Sequence, residues 1–216
     1  MITVVGNLKG GSGKSTVAFN LALWLVHANK SVVAYDLDLQ CTLSDVAQVR
    51  QEEGYEPFLK VYTRYHQKSQ EETEVLMDIG AANMTGMKRA LAAADRIVVP
   101  VAPSQADIWS TQRFLYIIAS EVKDKPPEVI VFVNRADTHT SIRESDEAEE
   151  ALKKLPGIKV LPTRLCQRTM YRRSFSEGLA VFELEPSGKA AQEFKELAQL
   201  LYPEIKIGDV PMTKNR

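Results

Sequence analysis

The sequence predicts an α/β fold, a mostly parallel, twisted sheet with helices on both faces, and three observations predict it. Strand-like runs are continuously apolar rather than alternating, the pattern of strands buried on both sides. Segments with helical spacing separate them, as parallel pairing demands. The runs end near polar residues or glycine-rich loops, and in open parallel sheets ligands sit at those carboxyl ends.

Residues 2–5 form the first buried strand, and 16–28 follow as a helix with Val17, Leu21 and Leu25 at helical spacing. Residues 31–35 are the second strand and stop at Asp36, while 74–77 run into Asp78. Residues 96–101 lie beside Pro103, 129–133 lead into Asn134, and 158–161 precede Pro162. Residues 123–128 read as a turn before a strand. With no repeat, low-complexity tract or linker, residues 1–204 are expected to form one domain. Residues 205–216, with Gly208 and Pro211, are expected to be a poorly ordered tail.

The 216 residues are 44% hydrophobic and 25% charged, enough for a sizeable core. A net charge of −1 leaves nucleic-acid binding to a local basic patch. Cys41 and Cys166 stand far apart, against a disulfide framework, a zinc site or an iron–sulfur cluster. No apolar run spans a bilayer, and the start lacks the basic region of a signal peptide. These features point to a cytoplasmic protein.

The segment after the first strand is Lys9-Gly10-Gly11-Ser12-Gly13-Lys14-Ser15-Thr16. Its glycines let successive backbone N–H groups approach phosphate oxygens, with a helix N-terminus behind them. Lys14 is the phosphate lysine and Ser15 a ligand for Mg²⁺, so the fold is expected to be that of a P-loop NTPase. Leu8 stands where the general motif has glycine, and an extra lysine opens the loop. In this the segment resembles the deviant Walker A motif of the ParA/MinD superfamily of ATPases. The resemblance implies that Lys9 acts in trans on the nucleotide of a partner in an ATP-bound homodimer.

Asp36 and Asp38 close the second strand two residues apart, on one side of an extended chain. The segment is similar to the family's D-x-D-P-Q switch, with Leu39 in place of proline. By that likeness Asp38 orients the attacking water and Asp36 lies near Lys14 and the magnesium. Asp78, delivered by an apolar strand, is placed as a Walker B ligand to Mg²⁺. Gly80 then gives the backbone freedom to sense the γ-phosphate. Asn134 offers a donor and an acceptor that match an adenine edge. Arg135 in place of lysine only partly meets the guanine-binding pattern with Asp137, and since the other motifs resemble those of ATPases, the resemblance favours ATP. Pro162 and Thr163 resemble the family's second adenine-flanking loop.

Arg164, Arg168, Arg172 and Arg173 precede the next acidic residue, Glu177. Spacing at i, i+4 places them along one helical face, a candidate phosphate-backbone surface. A solvated or ion-paired face is the alternative. The resemblance, which spans essentially the whole chain and is closest to small ParA proteins of the ParF type, favours sequence-independent DNA binding on the nucleoid. It implies a ParB-like, ParR-like or McdB-like adaptor that stimulates hydrolysis. The cargo stays open between a plasmid or chromosome and a protein body such as a carboxysome. A MinD-like membrane helix is not expected, because Gly208 and Pro211 interrupt the C-terminus. The nitrogenase-reductase and arsenite-pump relatives need cysteines absent here, and a metabolic synthetase of the superfamily is a weaker alternative. His27, His66 and His139 show no catalytic or metal spacing. Trp24 and Trp109 are expected to pack on helices, and residues 144–150 to form a solvated acidic face.

Overall fold

A computed structural model of the chain describes residues 1–65, 73–122, 125–139 and 143–205. In chain order its elements are β1 (Ile2–Gly6), α1 (Lys14–His27), β2 (Val32–Asp36), α2 (Thr42–Glu52), β3 (Val61–Tyr62) and β4 (Glu74–Ile79). Then come α3 (Met84–Ala93), β5 (Arg96–Val101), α4 (Gln105–Glu121), β6 (Glu128–Ala136) and α5 (Glu144–Lys153). β7 (Lys159–Val160), β8 (Leu165–Cys166), α6 (Thr169–Ser176), α7 (Val181–Leu184) and α8 (Lys189–Leu201) complete it.

The strands run β3-β2-β4-β1-β5-β6-β7, with β8 also on β6. The pairings among them are parallel, as the continuous apolar runs predict. Register does chemical work here. Asp36 on β2 stands opposite Asp78 on β4, and Asp78 stands opposite Val5 on β1. Two carboxylates and the loop after β1 therefore share one edge of the sheet.

One face of the sheet is covered by α1, α2, α7 and α8 through Phe19, Trp24, Leu43, Phe182 and Phe194. The other is covered by α3, α4 and α5 through Met87, Phe114, Ile118 and Leu152. Each large apolar side chain so buried contributes roughly 1.5–3 kcal/mol, so truncating Phe194 to alanine would cost about 3–5 kcal/mol.

Three expectations change. Trp24 is fully buried, but Trp109 on α4 is 56% exposed and does not pack. The acidic run 144–150 is not wholly solvated, since Ser145, Ala148 and Glu149 turn inward. Ile205, assigned to the tail, is buried with the α1 and α8 side chains, because the chain leaving α8 still covers that core. The rest of the tail and His66 lie outside the described residues.

Candidate functional site

The loop after β1 turns directly into α1. Gly11 (φ 74°) and Gly13 (φ 89°) take left-handed backbone, which glycine adopts without strain. A Cβ on Gly13 would also lie 2.4 Å from Asn134 Nδ2. Gly13 immediately precedes α1, so the helix's unpaired N–H groups and its positive end face outward for an anion. Lys14 is buried, and its ammonium donates to the Lys9 carbonyl at 3.2 Å. Gly10 and Lys9 are exposed, whereas Ser12 is buried and its hydroxyl has no partner among the described residues.

Asn7, which sequence reasoning passed over, anchors the start of the loop. Its Oδ1 accepts from the Lys9 N–H at 3.2 Å, and its Nδ2 donates to the Pro100 carbonyl on β5 at 3.0 Å. A polar residue ending an apolar strand was the available signal.

Asp78 is fully buried, and among the described residues neither carboxylate oxygen has a hydrogen-bond partner. Burial pushes its pKa up to about 7, although the nearby Ser15 hydroxyl and Lys14 pull it down. A buried carboxylate left this way fits a cation beside it, and Ser15 adds a hydroxyl. Among the described residues no group of three His, Cys, Asp or Glu side chains forms a closed cage. Asp78 and Ser15 would suit Mg²⁺, which takes one or two carboxylates, keeps waters and shares substrate phosphates.

Asp36 has a second task. Its oxygens accept from the Ser44 N–H at 2.8 Å and the Asp38 N–H at 3.3 Å, so it clamps both ends of the turn that enters α2. Burial raises its pKa, with those bonds opposing.

Asp38 is half-buried and accepts from the Gln40 N–H at 3.2 Å. It rests on Gly80 so closely that a Cβ there would lie 2.0 Å from Asp38 Oδ2. Gly80 therefore makes room for the carboxylate. Asn83, which caps α3, donates to the Leu37 carbonyl at 3.1 Å and ties this turn to α3. Leu39, at the tip, is 67% exposed.

At the end of β6, Asn134 Nδ2 donates to the Ser12 carbonyl at 2.7 Å, and Arg135 Nη1 donates to the Gly11 carbonyl at 2.7 Å. Both residues brace the phosphate loop, a role the sequence did not suggest. Asp137 is bonded instead to Ser145.

A cavity of about 810 Å³ opens over the loop and is lined by Lys14, Ser15, Thr16, Asp38, Asn134 and residues 165–169. It extends to Arg172, Phe175 and Phe194, and its volume suits a nucleotide-sized ligand. Pro162 and Thr163 are not in its wall; the residues after them, Leu165 to Thr169, take that place.

The arginines do not form one helical face. Leu165–Cys166 pairs with β6 as β8, and Arg168 only caps α6. Arg164 lies before that strand and binds Glu149 Oε2 (2.8 Å from Nε) and Asp146 Oδ1 (2.6 Å). Arg168 Nε binds Glu193 Oε1 at 2.9 Å. Arg172 and Arg173 are exposed on α6; among the described residues Arg173 has an ion pair, to Glu177 at 2.9 Å, and Arg172 has none.

Sequence comparison matches residues 3–181 to the family described as the CobQ/CobB/MinD/ParA nucleotide binding domain. The chain is 26% identical over 206 residues to the maintenance of carboxysome distribution protein A of Halothiobacillus neapolitanus, covering 91% of this chain and 93% of that protein. It is 25% identical over 191 residues to a ParA protein of Rhizobium radiobacter, covering 82% and 83%. Among solved structures, an ATP complex of Cyanothece McdA superposes with a TM-score of 0.74 at 18% identity, over 94% of this chain and 96% of that one. A plasmid partition protein of Borrelia burgdorferi bound to AMPPNP gives 0.73 at 16% identity, over 94% and 98%. These likenesses confirm the α/β fold.

Proposed function

Because the chain belongs to the CobQ/CobB/MinD/ParA nucleotide-binding family, we propose that it is a Mg²⁺-dependent ATPase working as a positioning switch. Bound to ATP it forms a homodimer, binds DNA on the nucleoid without sequence preference, and carries cargo until an adaptor triggers hydrolysis. One observation carries this reading: a single cavity runs from Lys14 in the phosphate loop to Arg172 on the exposed basic helix α6. Nucleotide and nucleic-acid surfaces would then share a wall.

In this reading Gly10 to Thr16 hold the phosphates, while Ser15 and Asp78, with Asp36 nearby, hold Mg²⁺. The metal would neutralise charge that develops on the transferred phosphoryl group. Asp38 orients the water, and its seat on Gly80 fixes where the carboxylate lies. Lys9, exposed at the rim, is the group that reaches the nucleotide of the partner subunit. Asn134 faces the cavity with its carbonyl oxygen and one amide hydrogen uncommitted to Ser12, a set that suits adenine. Asp137 lies away from the cavity wall, which supports ATP over GTP. The DNA surface consists of Arg172 and Arg173 rather than Arg164 and Arg168.

The likeness to the carboxysome distribution protein favours a protein body as cargo, and the likeness to ParA a plasmid; the engine is the same for both. No helix among the described residues is long and apolar enough to cross a membrane. The test is a gel shift on random-sequence duplex at low salt with Mg²⁺ and ATP, ADP or no nucleotide. Retardation with ATP alone is expected, and its absence overturns the DNA-binding part of the reading.

A further inference from the structure

The far ends of the two helices that begin at the nucleotide site meet on one buried carboxylate. α1 starts at Lys14 and ends at His27, whose Nε2 lies 2.6 Å from Glu183 Oε1. α2 starts beyond the Asp38 turn and carries Arg50 near its end. Arg50 donates to both oxygens of Glu183 at 2.8 Å, and through Nε to the Pro57 carbonyl at 2.8 Å. His27, Arg50 and Glu183 are each at most 5% exposed.

Three groups of this kind are removed from water only if each is paired, and breaking one pairing strands the others. Here they are paired. Burial alone would raise the Glu183 pKa, but the bonds from His27 and Arg50 bring it below the usual glutamate range.

The cluster also grips the basic helix. α6 ends in a Schellman turn: Leu179 N–H donates to the Ser174 carbonyl and Gly178 N–H to the Phe175 carbonyl. Arg50 Nη1 donates to the Gly178 carbonyl at 3.1 Å. Gly178 (φ 70°) presses on α2 so tightly that a Cβ would lie 2.6 Å from the Arg50 backbone nitrogen and 2.7 Å from its Cα. Glu183 Oε2 accepts from the Ala180 N–H at 2.7 Å, fixing the turn from α6 into α7. The Asp38 turn at one end of α2 and the end of α6 at the other are thus joined through one short, rigid helix. An 11-residue helix spans about 16 Å.

We propose that Arg50 and Glu183 are positioning residues that transmit the nucleotide state of the Asp38 turn, through α2 and Gly178, to Arg172 and Arg173 on α6. A shift of α2 along its axis cannot be absorbed at Gly178, where backbone meets backbone, so it moves the end of α6. The inference rests on the proposed ATP-dependent DNA binding for its biological meaning and for the second readout of its test, but not for the first.

The experiment compares the intact protein with Arg50→Lys and Gly178→Ala. Arg50→Lys keeps the charge and loses the two-pronged contact. The first readout is hydrogen exchange with and without non-hydrolysable ATP. In the wild type, amides of residues 10–16 and also of 174–183 should change protection on nucleotide binding. In Arg50→Lys the first change should persist and the second be lost. The second readout is the ratio of duplex affinities with ATP and with ADP, expected to fall at least tenfold in both variants while nucleotide affinity stays within about threefold. Unchanged protection at 174–183 in the wild type overturns the inference, even if neither variant folds. So do variants with the wild-type affinity ratio. A wild type that shows no ATP-dependent DNA binding instead defeats the proposed function, and the exchange data then judge the relay alone.

Discussion

Replacing Gly80 with alanine should disable hydrolysis while leaving the fold and nucleotide binding intact. The new methyl would lie 2.0 Å from Asp38 Oδ2 and 2.2 Å from Cγ. Reaching ordinary contact means moving the carboxylate by more than ~1 Å, and a displacement of that size at a reacting centre costs about 10²-fold in rate. This equals about 2.7 kcal/mol of transition-state stabilisation. The Asp38 carboxylate ends a flexible side chain, so it can swing aside at little cost in stability. Steady-state phosphate release should therefore fall about 100-fold in Gly80→Ala, with fluorescent ATP affinity and the melting temperature near the wild-type values. Asp38→Asn should match that loss, and the double variant should be no worse than either single one, since both remove one function. Turnover within twofold of the wild type in Gly80→Ala would refute the placement of Asp38 at the water.

Lys14→Ala should abolish ATP binding by isothermal titration, because it removes the buried ammonium that folds across the loop. Lys9→Ala should spare binding to the monomer but block ATP-dependent dimerisation and turnover, and an ATP dimer of normal size in light scattering would remove its trans role. Arg164→Ala should leave DNA affinity unchanged and lower stability by about 1 kcal/mol in urea denaturation, as expected for a half-exposed ion pair; a lost gel shift would return Arg164 to the DNA surface. Glu183 has its pKa lowered in the fold, so its contribution is complete above the ordinary glutamate range and is lost as pH falls through the lowered value. Urea midpoints of the wild type should drop more steeply below about pH 4 than those of Glu183→Gln, and parallel curves would contradict the buried cluster.

What could be seen in the sequence was what is written locally. Residues 4–5, 75–77 and 129–133 are apolar without a break, as expected of strands buried on both faces. The phosphate loop was legible because its glycines, lysine and following helix are consecutive. Asp36 and Asp78 were legible as strand ends, although only the register shows that they stand side by side. The errors arose where a distant partner decides. Spacing placed Arg164 and Arg168 on a helix with Arg172, but pairing with β6 makes 165–166 a strand, and carboxylates on α5 and α8 take both guanidiniums. Asn134 still carries the acceptor and a donor read for a base, but its second task, the bond to the Ser12 carbonyl 122 residues away, had no local signal. Glu183 meets Arg50 and His27 across 133 and 156 residues, and nothing in the neighbourhood of any of the three announces it.

The reduction of the basic surface has a consequence for how DNA would be held. With Arg164 and Arg168 committed to internal carboxylates, each subunit would offer Arg172 and Arg173, the latter exposed and paired with Glu177 of the same turn. Two phosphate contacts give a slope of log affinity against log salt of only about −1.8, the mark of a small electrostatic contribution and a weak binder. Pairing two subunits doubles the contacts, brings the slope to about −3.6, and makes the second set of contacts intramolecular. In the proposed function, ATP dependence of DNA binding would follow from dimerisation, and the proposed repositioning of α6 would add to it. Titrating duplex at several salt concentrations should give a slope near −4 for the ATP dimer, and near −2 after Arg172→Ala. A wild-type slope of −8 or steeper would mean that other cations carry the contact and that α6 is not the principal surface.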